Sequence, residues 1–317
     1  MAPVDGTGTW RATGLSLVET SGFADYRLLD SGEGRKLERF GKIIVDRPEP
    51  QALWRRRAES HVWDNCHAVF SGDGDDEAGR WRVQKAVPET WPITVDGITL
   101  LGRLSAFRHL GVFPEQLPYW RWMAEKLAGL TMALGDERPR VLNLFAYTGA
   151  ASLIAAKAGA EVVHVDGSKK AIGWARENQA ISGLGDKPIR WILEDARKFV
   201  ARERRRGRTY HIILADPPKF GRGPGGEVWE LFDHLPALAE DCAHLLDPRE
   251  AHMVLTSYAI RASALAIGQL VAEKISGRAG SVEVGELAIR PEGDGWSVPT
   301  SQFVRWSSAG QANSGQA

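Results

Sequence analysis

From Val141 to Ser276 the sequence alternates short apolar runs with longer segments of helical periodicity, and no other feature restricts the fold so narrowly. The apolar runs are VLNLFAY, VVHVDG, IRWILED, YHIILADPP and AHMVLTSY. Between and after them come ASLIAAKAG, SKKAIGWARENQAIS, ARKFVARERRR, VWELFDHLPALAEDCAHLL and SALAIGQLVAEKIS. Apolar strands that alternate with helices need cover on both faces. The pattern therefore predicts an α/β fold of βαβ units, with a mostly parallel sheet and helices on both faces. PEQLPYWRWMAEKLAGLTMAL adds a helix ahead of the first strand; VEVGELAI and SQFVRWS read as a closing hairpin. Ligands of such sheets sit beyond the carboxyl ends of the strands. The candidate chemical residues all fall there. Phe145 to Gly149 follow the first strand, Asp166 ends the second and Asp195 the third. Asp216-Pro217-Pro218 ends the fourth and Thr256-Ser257-Tyr258 the fifth.

The first hundred residues follow a different pattern. YRLLDSG, KIIVDRP, HVWDNCHAVF and WRVQKAV are strand-like, separated by turn chemistry in DSGEG, DRPEP and SGDGDDEAG. Asp96-Gly97 between β-branched residues in PITVDGITLLG is a strong hairpin signal. The expectation is a small β-rich domain over 1–100, an antiparallel sheet or barrel. The α/β domain then covers 101–306, and a small, polar, disordered tail covers 307–317.

Composition excludes several classes. No apolar run approaches the roughly 20 residues of a membrane span. The start, MAPVDGTGTW, lacks the features of a signal peptide. Two cysteines, Cys66 and Cys242, make no disulfide framework, so a reducing cytoplasm is expected. Neither Cys66-His67 nor Cys242 with His244 has the spacing of a zinc site, so no metal is expected. His109, His164 and His252 read as structural. Net charge is zero, yet basic clusters stand at Arg55-Arg56-Arg57 and in ARERRRGR. Self-association into a homo-oligomer is left open.

The glycine loop F-A-Y-T-G-A discriminates between ligands. A dinucleotide fold needs G-x-G-x-x-G so that backbone amides can approach a pyrophosphate. Here there is one glycine, Gly149, and Tyr147 and Thr148 fill the space a pyrophosphate would take. The loop suits a nucleoside without phosphates. Asp166, 17 positions after Gly149, is placed to accept both ribose hydroxyls. Asp195 and the Ala196 amide are placed to meet an adenine edge. An adenosine that carries a sulfonium cation, as in S-adenosyl-L-methionine, meets these conditions.

On these motifs the segment from about Phe107 to Trp306 resembles the class I S-adenosylmethionine-dependent methyltransferases. It is most similar to the bacterial family that methylates bases of large-subunit ribosomal RNA. NLFAYTGAASLIAAKAGA, VVHVDGSKKAIGWARENQAISGL, Asp195, HIILADPPKF and PEGDGW carry the likeness. The resemblance implies a Rossmann-like sheet, an RNA partner and, in the first hundred residues, a small RNA-binding barrel. It places Tyr147, Thr148 and Gly149 beneath the methionine part, and Asp166, Gly167 and Ser168 at the ribose. Asp195 and Ala196 come at the adenine, and Asp216, Pro217 and Pro218 at the transferring methyl. Phe220 would stack on a flipped base and Lys219 contact substrate, while Phe113 and Gln116 close over the donor. The family's Phe-Leu-Asp-Gln-Arg reads Phe113-Pro114-Glu115-Gln116-Leu117 here, without the arginine. Related cytosine-5 enzymes carry a cysteine after the fifth strand, where this chain has Leu255-Thr256-Ser257-Tyr258. Carbon 5 of cytosine needs a thiolate to add first, so a nitrogen acceptor is favoured. A protein or small-molecule acceptor, a binding module that has lost catalysis and a dehydrogenase are the rival readings.

Overall fold

The computed structural model describes residues 2–3, 10, 12–72, 79–258 and 260–309. Residues 73–78 of the acidic loop and 310–317 of the expected tail lie outside the described residues. The chain opens with β1 (Ala2–Pro3), β2 (Ser16–Thr20), β3 (Tyr26–Gly32), β4 (Arg35–Phe40) and β5 (Ile43–Pro48). Next come α1 (Ser60–Asp64), β6 (Ala68–Ser71), β7 (Arg80–Val83) and the hairpin β8 (Trp91–Val95) and β9 (Ile98–Gly102). A 3-10 turn, Pro114–Gln116, leads into α2 (Leu117–Leu134). The alternating region runs β10 (Arg140–Leu144), α3 (Ala150–Lys157), β11 (Glu161–Asp166), α4 (Lys169–Ile181), β12 (Ile189–Leu193), α5 (Ala196–Arg205) and β13 (Ile212–Ala215). A short hairpin, β14 (Phe220–Arg222) and β15 (Val228–Glu230), precedes α6 (Leu231–Leu245). The chain closes with β16 (His252–Tyr258), α7 (Ala264–Lys274), β17 (Gly280–Ile289) and β18 (Val298–Ser308).

The main sheet has the order β1-β17-β18-β16-β13-β10-β11-β12, with β2 also on β17. Strands β12, β11, β10, β13 and β16 pair in parallel; β18 and β17 are antiparallel. The chain steps outward from β10 to β11 and β12, then returns to the other side of β10 for β13. The strand order reverses beside β10, and a crevice opens there at the carboxyl edge. Alternate side chains divide the core between the two faces. Leu142, Leu144, Ile213 and Ala215 pack with Phe199, Leu235 and Val271 from α5, α6 and α7. Val141, Val162 and Ile212 pack on the other face with Leu127 and Leu153 from α2 and α3.

The N-terminal region departs from expectation in four respects. HVWD is helical (in α1), so the strand-like run HVWDNCHAVF holds a strand only from Ala68. The sheet β3-β4-β5-β6-β7 is mixed rather than antiparallel, because β5 and β6 pair in parallel. Strands β1 and β2 belong to the main sheet. Finally, Phe23, Tyr26, Phe40 and Ile93 share one core with Trp120, Leu127 and Leu153, so the β-rich region is not walled off from the α/β region. At the far end, β18 continues through Ser308, so Ser307 and Ser308 are strand rather than tail. The Asp96-Gly97 turn is as expected: both residues have positive φ, 44° and 77°, as a two-residue hairpin turn requires.

A buried polar network fastens the N-terminal sheet to the crevice side. Glu38 accepts from the Tyr26 hydroxyl at 2.7 Å and pairs with Arg47 at 2.6 Å; Lys36 pairs with Glu49 at 3.1 Å. Arg47 donates to the Arg108 carbonyl at 2.9 Å, and Arg108 donates to the Tyr258 hydroxyl at 2.8 Å. Buried charges are tolerated only when paired in this way.

Candidate active site

The loop from Phe145 to Gly149 is shaped by its backbone. Phe145, Tyr147 and Gly149 all have positive φ, at 55°, 49° and 87°. For the two aromatic residues this conformation costs roughly 1–3 kcal/mol each, and such residues cluster at functional sites. Gly149 has a second reason to be glycine: a Cβ there would come within 3.1 Å of the Ala175 Cβ. The twist turns the Tyr147 amide onto Asp166 Oδ2 at 2.8 Å, while the Ser168 amide donates to Oδ1 at 2.7 Å. The Asp166 carboxylate is thus oriented by two backbone donors. Burial raises its pKa; the amides of Ser168 and Tyr147 oppose that rise by favouring the ionised form.

An open crevice lies at the strand ends, with about 600 Å³ of empty space when the solvent at its mouth is counted. It gathers Phe113, Gln116, Tyr147, Thr148, Gly149 and Asp216 from the residues singled out in the sequence. Phe113 packs its ring 5.3 Å from Tyr147 and forms the roof. Thr148 turns its hydroxyl away, donating to the Gly111 carbonyl at 2.6 Å, and is therefore a wall residue. Asp216 accepts from the Thr256 hydroxyl and, at 3.4 Å, from Gln116 Nε2; Gln116 Nε2 also reaches Thr256 Oγ1 at 3.3 Å. Three elements therefore meet on one carboxylate. Sequence reading placed Thr256 at a strand end without giving it a role; its register beside β13 was the available signal.

Asp166, Gly167, Ser168, Asp195 and Ala196 do not line this cavity; Asp166 touches its wall through the Tyr147 amide. Asp195 is buried, caps α5 by accepting from the Lys198 amide at 3.1 Å, and lies 3.4 Å from the Arg197 guanidinium. The β14–β15 hairpin folds over this end. A Cβ on Gly167 would stand 3.3 Å from the Arg222 carbonyl oxygen, and one on Gly223 would stand 3.2 Å from the Asp195 Cβ. The hairpin is tied down by the Lys198–Glu227 pair and by Arg197, which donates to the Val228 carbonyl at 2.9 Å. Trp229 packs 5.0 Å from Phe145 and donates to the Pro218 carbonyl at 2.6 Å. Pro217 is buried beneath this clasp, while Pro218, Lys219 and Phe220 face solvent.

The other reactive side chains are placed elsewhere. Cys66 and Cys242 are buried, and burial pushes the Cys242 thiol up to about 12. His164 lies beneath the sheet edge, with Nδ1 at 3.0 Å from Ser152 Oγ, and burial lowers its pKa to about 3. His252 is likewise lowered, to about 4. Both are neutral and structural. Among the described residues no cluster of three or more His, Cys, Asp or Glu could hold a metal ion, and no helix is long and apolar enough to cross a membrane.

Comparison with known proteins bears on this site. A family profile described as S-adenosylmethionine-dependent methyltransferase matches residues 65–240. The crystal structure of a SAM-dependent methyltransferase from Agrobacterium tumefaciens is 52% identical, covering 92% of this chain and 93% of that one, with a TM-score of 0.87. The SMU.776 methyltransferase, crystallised with SAH, shares the fold at 18% identity, covering 90% of this chain and 76% of that one, with a TM-score of 0.68. The ribosomal RNA large subunit methyltransferase I of Klebsiella pneumoniae subsp. pneumoniae is 29% identical over 233 residues, 67% of this chain and 54% of the relative. That of Shewanella amazonensis is 45% identical over 85 residues, 26% of this chain and 22% of the relative. The chain thus spans about half the length, or less, of these curated relatives.

Proposed function

This chain belongs to the S-adenosylmethionine-dependent methyltransferases, and from that premise we propose that it methylates a nitrogen on a base of ribosomal RNA. The donor is S-adenosyl-L-methionine, and the residues present suit it. Asp166 offers a carboxylate already aligned by two amides, with lone pairs left for ribose hydroxyls. In this reading Asp195 and the Ala196 amide meet the adenine. Gly149, Tyr147 and Thr148 form the floor under the methionine part, and Phe113 and Gln116 close the roof. When bound, the donor supplies an activated methyl group on a sulfonium. The chain's own work is alignment, which can lower the barrier by roughly 7–11 kcal/mol.

The observation that carries the acceptor assignment is Asp216, held by Thr256 and Gln116 at the cavity with no thiol beside it. A carboxylate fixed there accepts a hydrogen bond from an amine or ring N–H and takes up the charge that develops on a nitrogen attacking the methyl. Pro217 and Pro218 keep the following chain stiff, Lys219 stands at the rim and Phe220 offers a ring to a base turned out of its stack. A covalent route through carbon 6 of a cytosine has no nucleophile among the described residues, because both cysteines are buried outside the cavity. The ribosomal RNA acceptor draws its support from the curated relatives. On the same reading the β-rich N-terminal region helps hold RNA and the enzyme works in the cytoplasm.

The test is incubation of the purified chain and tritiated donor with ribosomal RNA, protein and metabolite fractions from a deletion strain, followed by nucleoside mass spectrometry. We expect label in RNA, on an N-methylated nucleoside. Label confined to protein or metabolites overturns the RNA reading, and a C-methylated pyrimidine overturns the nitrogen reading alone.

A further inference from the structure

The β14–β15 hairpin has two faces; the inner one anchors it to the site described above, and on the outer one only Phe220 has so far been given a role. Its register pairs Phe220 with Glu230, Gly221 with Trp229, and Arg222 with Val228. Side chains alternate across a strand. Gly221 and the buried Trp229 therefore point inward, while Phe220, Arg222, Val228 and Glu230 point out. Phe220 is 53% exposed and Val228 40% exposed. Arg222 is exposed and has no ion-pair partner among the described residues; the same is true of Lys219. The inner clasp of Trp229 on Pro218 and Phe145 fixes where this outer face stands: its root, Lys219 and Phe220, follows directly on Asp216-Pro217-Pro218, and its tip, past Arg222, folds over Gly167 and Asp195.

The other basic clusters are committed in part, since Arg55, Arg205 and Arg208 are exposed there and also have no ion-pair partner among the described residues, but none of them stands on the hairpin that follows Asp216. On α5, Arg202 pairs with Glu194, Arg204 with Asp241 and Arg206 with Glu203. In the N-terminal cluster, Arg56 pairs with Glu33 and lies 4.0 Å over the Trp63 ring, and Arg57 donates to the Asp294 carbonyl. A phosphate chain that passes the cavity mouth meets Arg222 and Lys219, with Glu230 the carboxylate on that face.

We propose that the outer face of the β14–β15 hairpin is a docking surface for single-stranded RNA flanking the acceptor base, with Val228 beneath the base next to the one stacked on Phe220 and with Arg222 and Lys219 on phosphates. The assignment rests on the RNA reading above. An aromatic ring that stacks without sequence preference beside cations that follow the backbone is the chemistry by which proteins hold single strands. A narrow two-stranded ribbon with one exposed ring suits a lone strand, whose bases are free to stack, rather than a duplex.

The experiment uses the full chain, a fluorescein-labelled single-stranded RNA oligonucleotide of mixed sequence, and the same strand annealed to its complement. Binding is read by anisotropy across a salt series, beside methylation of ribosomal RNA and calorimetry with SAH. Arg222→Glu is expected to weaken single-strand binding about tenfold or more and to flatten the slope of log affinity against log salt by about 0.7. Val228→Glu should weaken it severalfold, and both variants should bind SAH within twofold of the parent, which also shows that they are folded. The proposal is overturned if the parent methylates RNA while Arg222→Glu keeps its affinity and slope, or if the duplex binds better than the strand. A parent that neither binds nor methylates RNA overturns the RNA reading, and this surface with it.

Discussion

The two ends of the crevice are built on opposite terms. At one end Asp216 stands in an open cavity and accepts from the side chains of Thr256 and Gln116. At the other, Asp166 is oriented by backbone amides, and Asp195 is buried as a helix cap beneath the hairpin. The open end must receive an acceptor of variable position, so adjustable side chains suit it. On the proposed reading the covered end holds the same nucleoside each time, which rigid backbone donors suit. The contrast teaches that the donor end is part of the fold's own framework, whereas the reacting end is laid on top of it.

That contrast can be broken by experiment. The largest effect is expected at the open end. Asp216→Ala should lower kcat by between about a hundredfold and ten-thousandfold, with SAH affinity little changed. Equal loss of kcat and of SAH affinity would erase the division of labour. Next, Asp166→Ala should weaken SAH binding by about 1.5–3 kcal/mol, read by calorimetry, and should lower the melting temperature because two amides lose their acceptor. Unchanged affinity removes Asp166 from the ribose role.

A smaller effect belongs to Glu115, the residue before Gln116, which is buried near Lys36 and Arg47. Burial raises its pKa to about 7, with Lys36 opposing. A carboxyl whose folded pKa exceeds its unfolded one, about 4.3, binds its proton more tightly in the native state. Its contribution to stability is therefore greatest at low pH and falls as pH rises through the window from about 4.3 to about 7. Glu115→Gln should raise the melting temperature by about 2–4 °C at pH 8 and leave it nearly unchanged at pH 4. The smallest effect is a deliberate absence. Cys242→Ser should keep methyl transfer within about twofold, since a thiol pushed up to about 12 supplies almost no thiolate at neutral pH. Abolished transfer with intact SAH binding would restore a covalent route.

Legibility in the sequence followed the range of the interactions involved. The α/β alternation was readable because each strand is apolar on both faces and each helix keeps its own period. The convergence of Gly149, Asp166 and Asp216 was readable because parallel strands place their carboxyl ends on one edge. Strand β4 was not. RKLERF looks exposed, yet Lys36 and Glu38 are buried, because Glu49 and Arg47, on and just beyond β5, pair with them. Strands β1 and β2 join the main sheet by pairing with β17, at a sequence separation no local pattern reports. Strand β15 was hidden at the start of VWELFDHLPALAEDCAHLL, a segment read as helix, and β14 in a stretch given no element. VWE can be helical, and only the pairing of Trp229 with Gly221 and the pull of Pro218 on its indole make it a strand.

The glycine-rich tip above Asp195 and Gly167 has a consequence for traffic. The hairpin that carries this tip is closed at its root where the Leu231 amide donates to the Lys219 carbonyl at 3.0 Å, so it covers that end as a flap. A strand lying across the outside of that flap holds it shut. On the proposed docking, spent donor leaves only after the modified strand has departed, and product-inhibition kinetics should show the donor first in and last out.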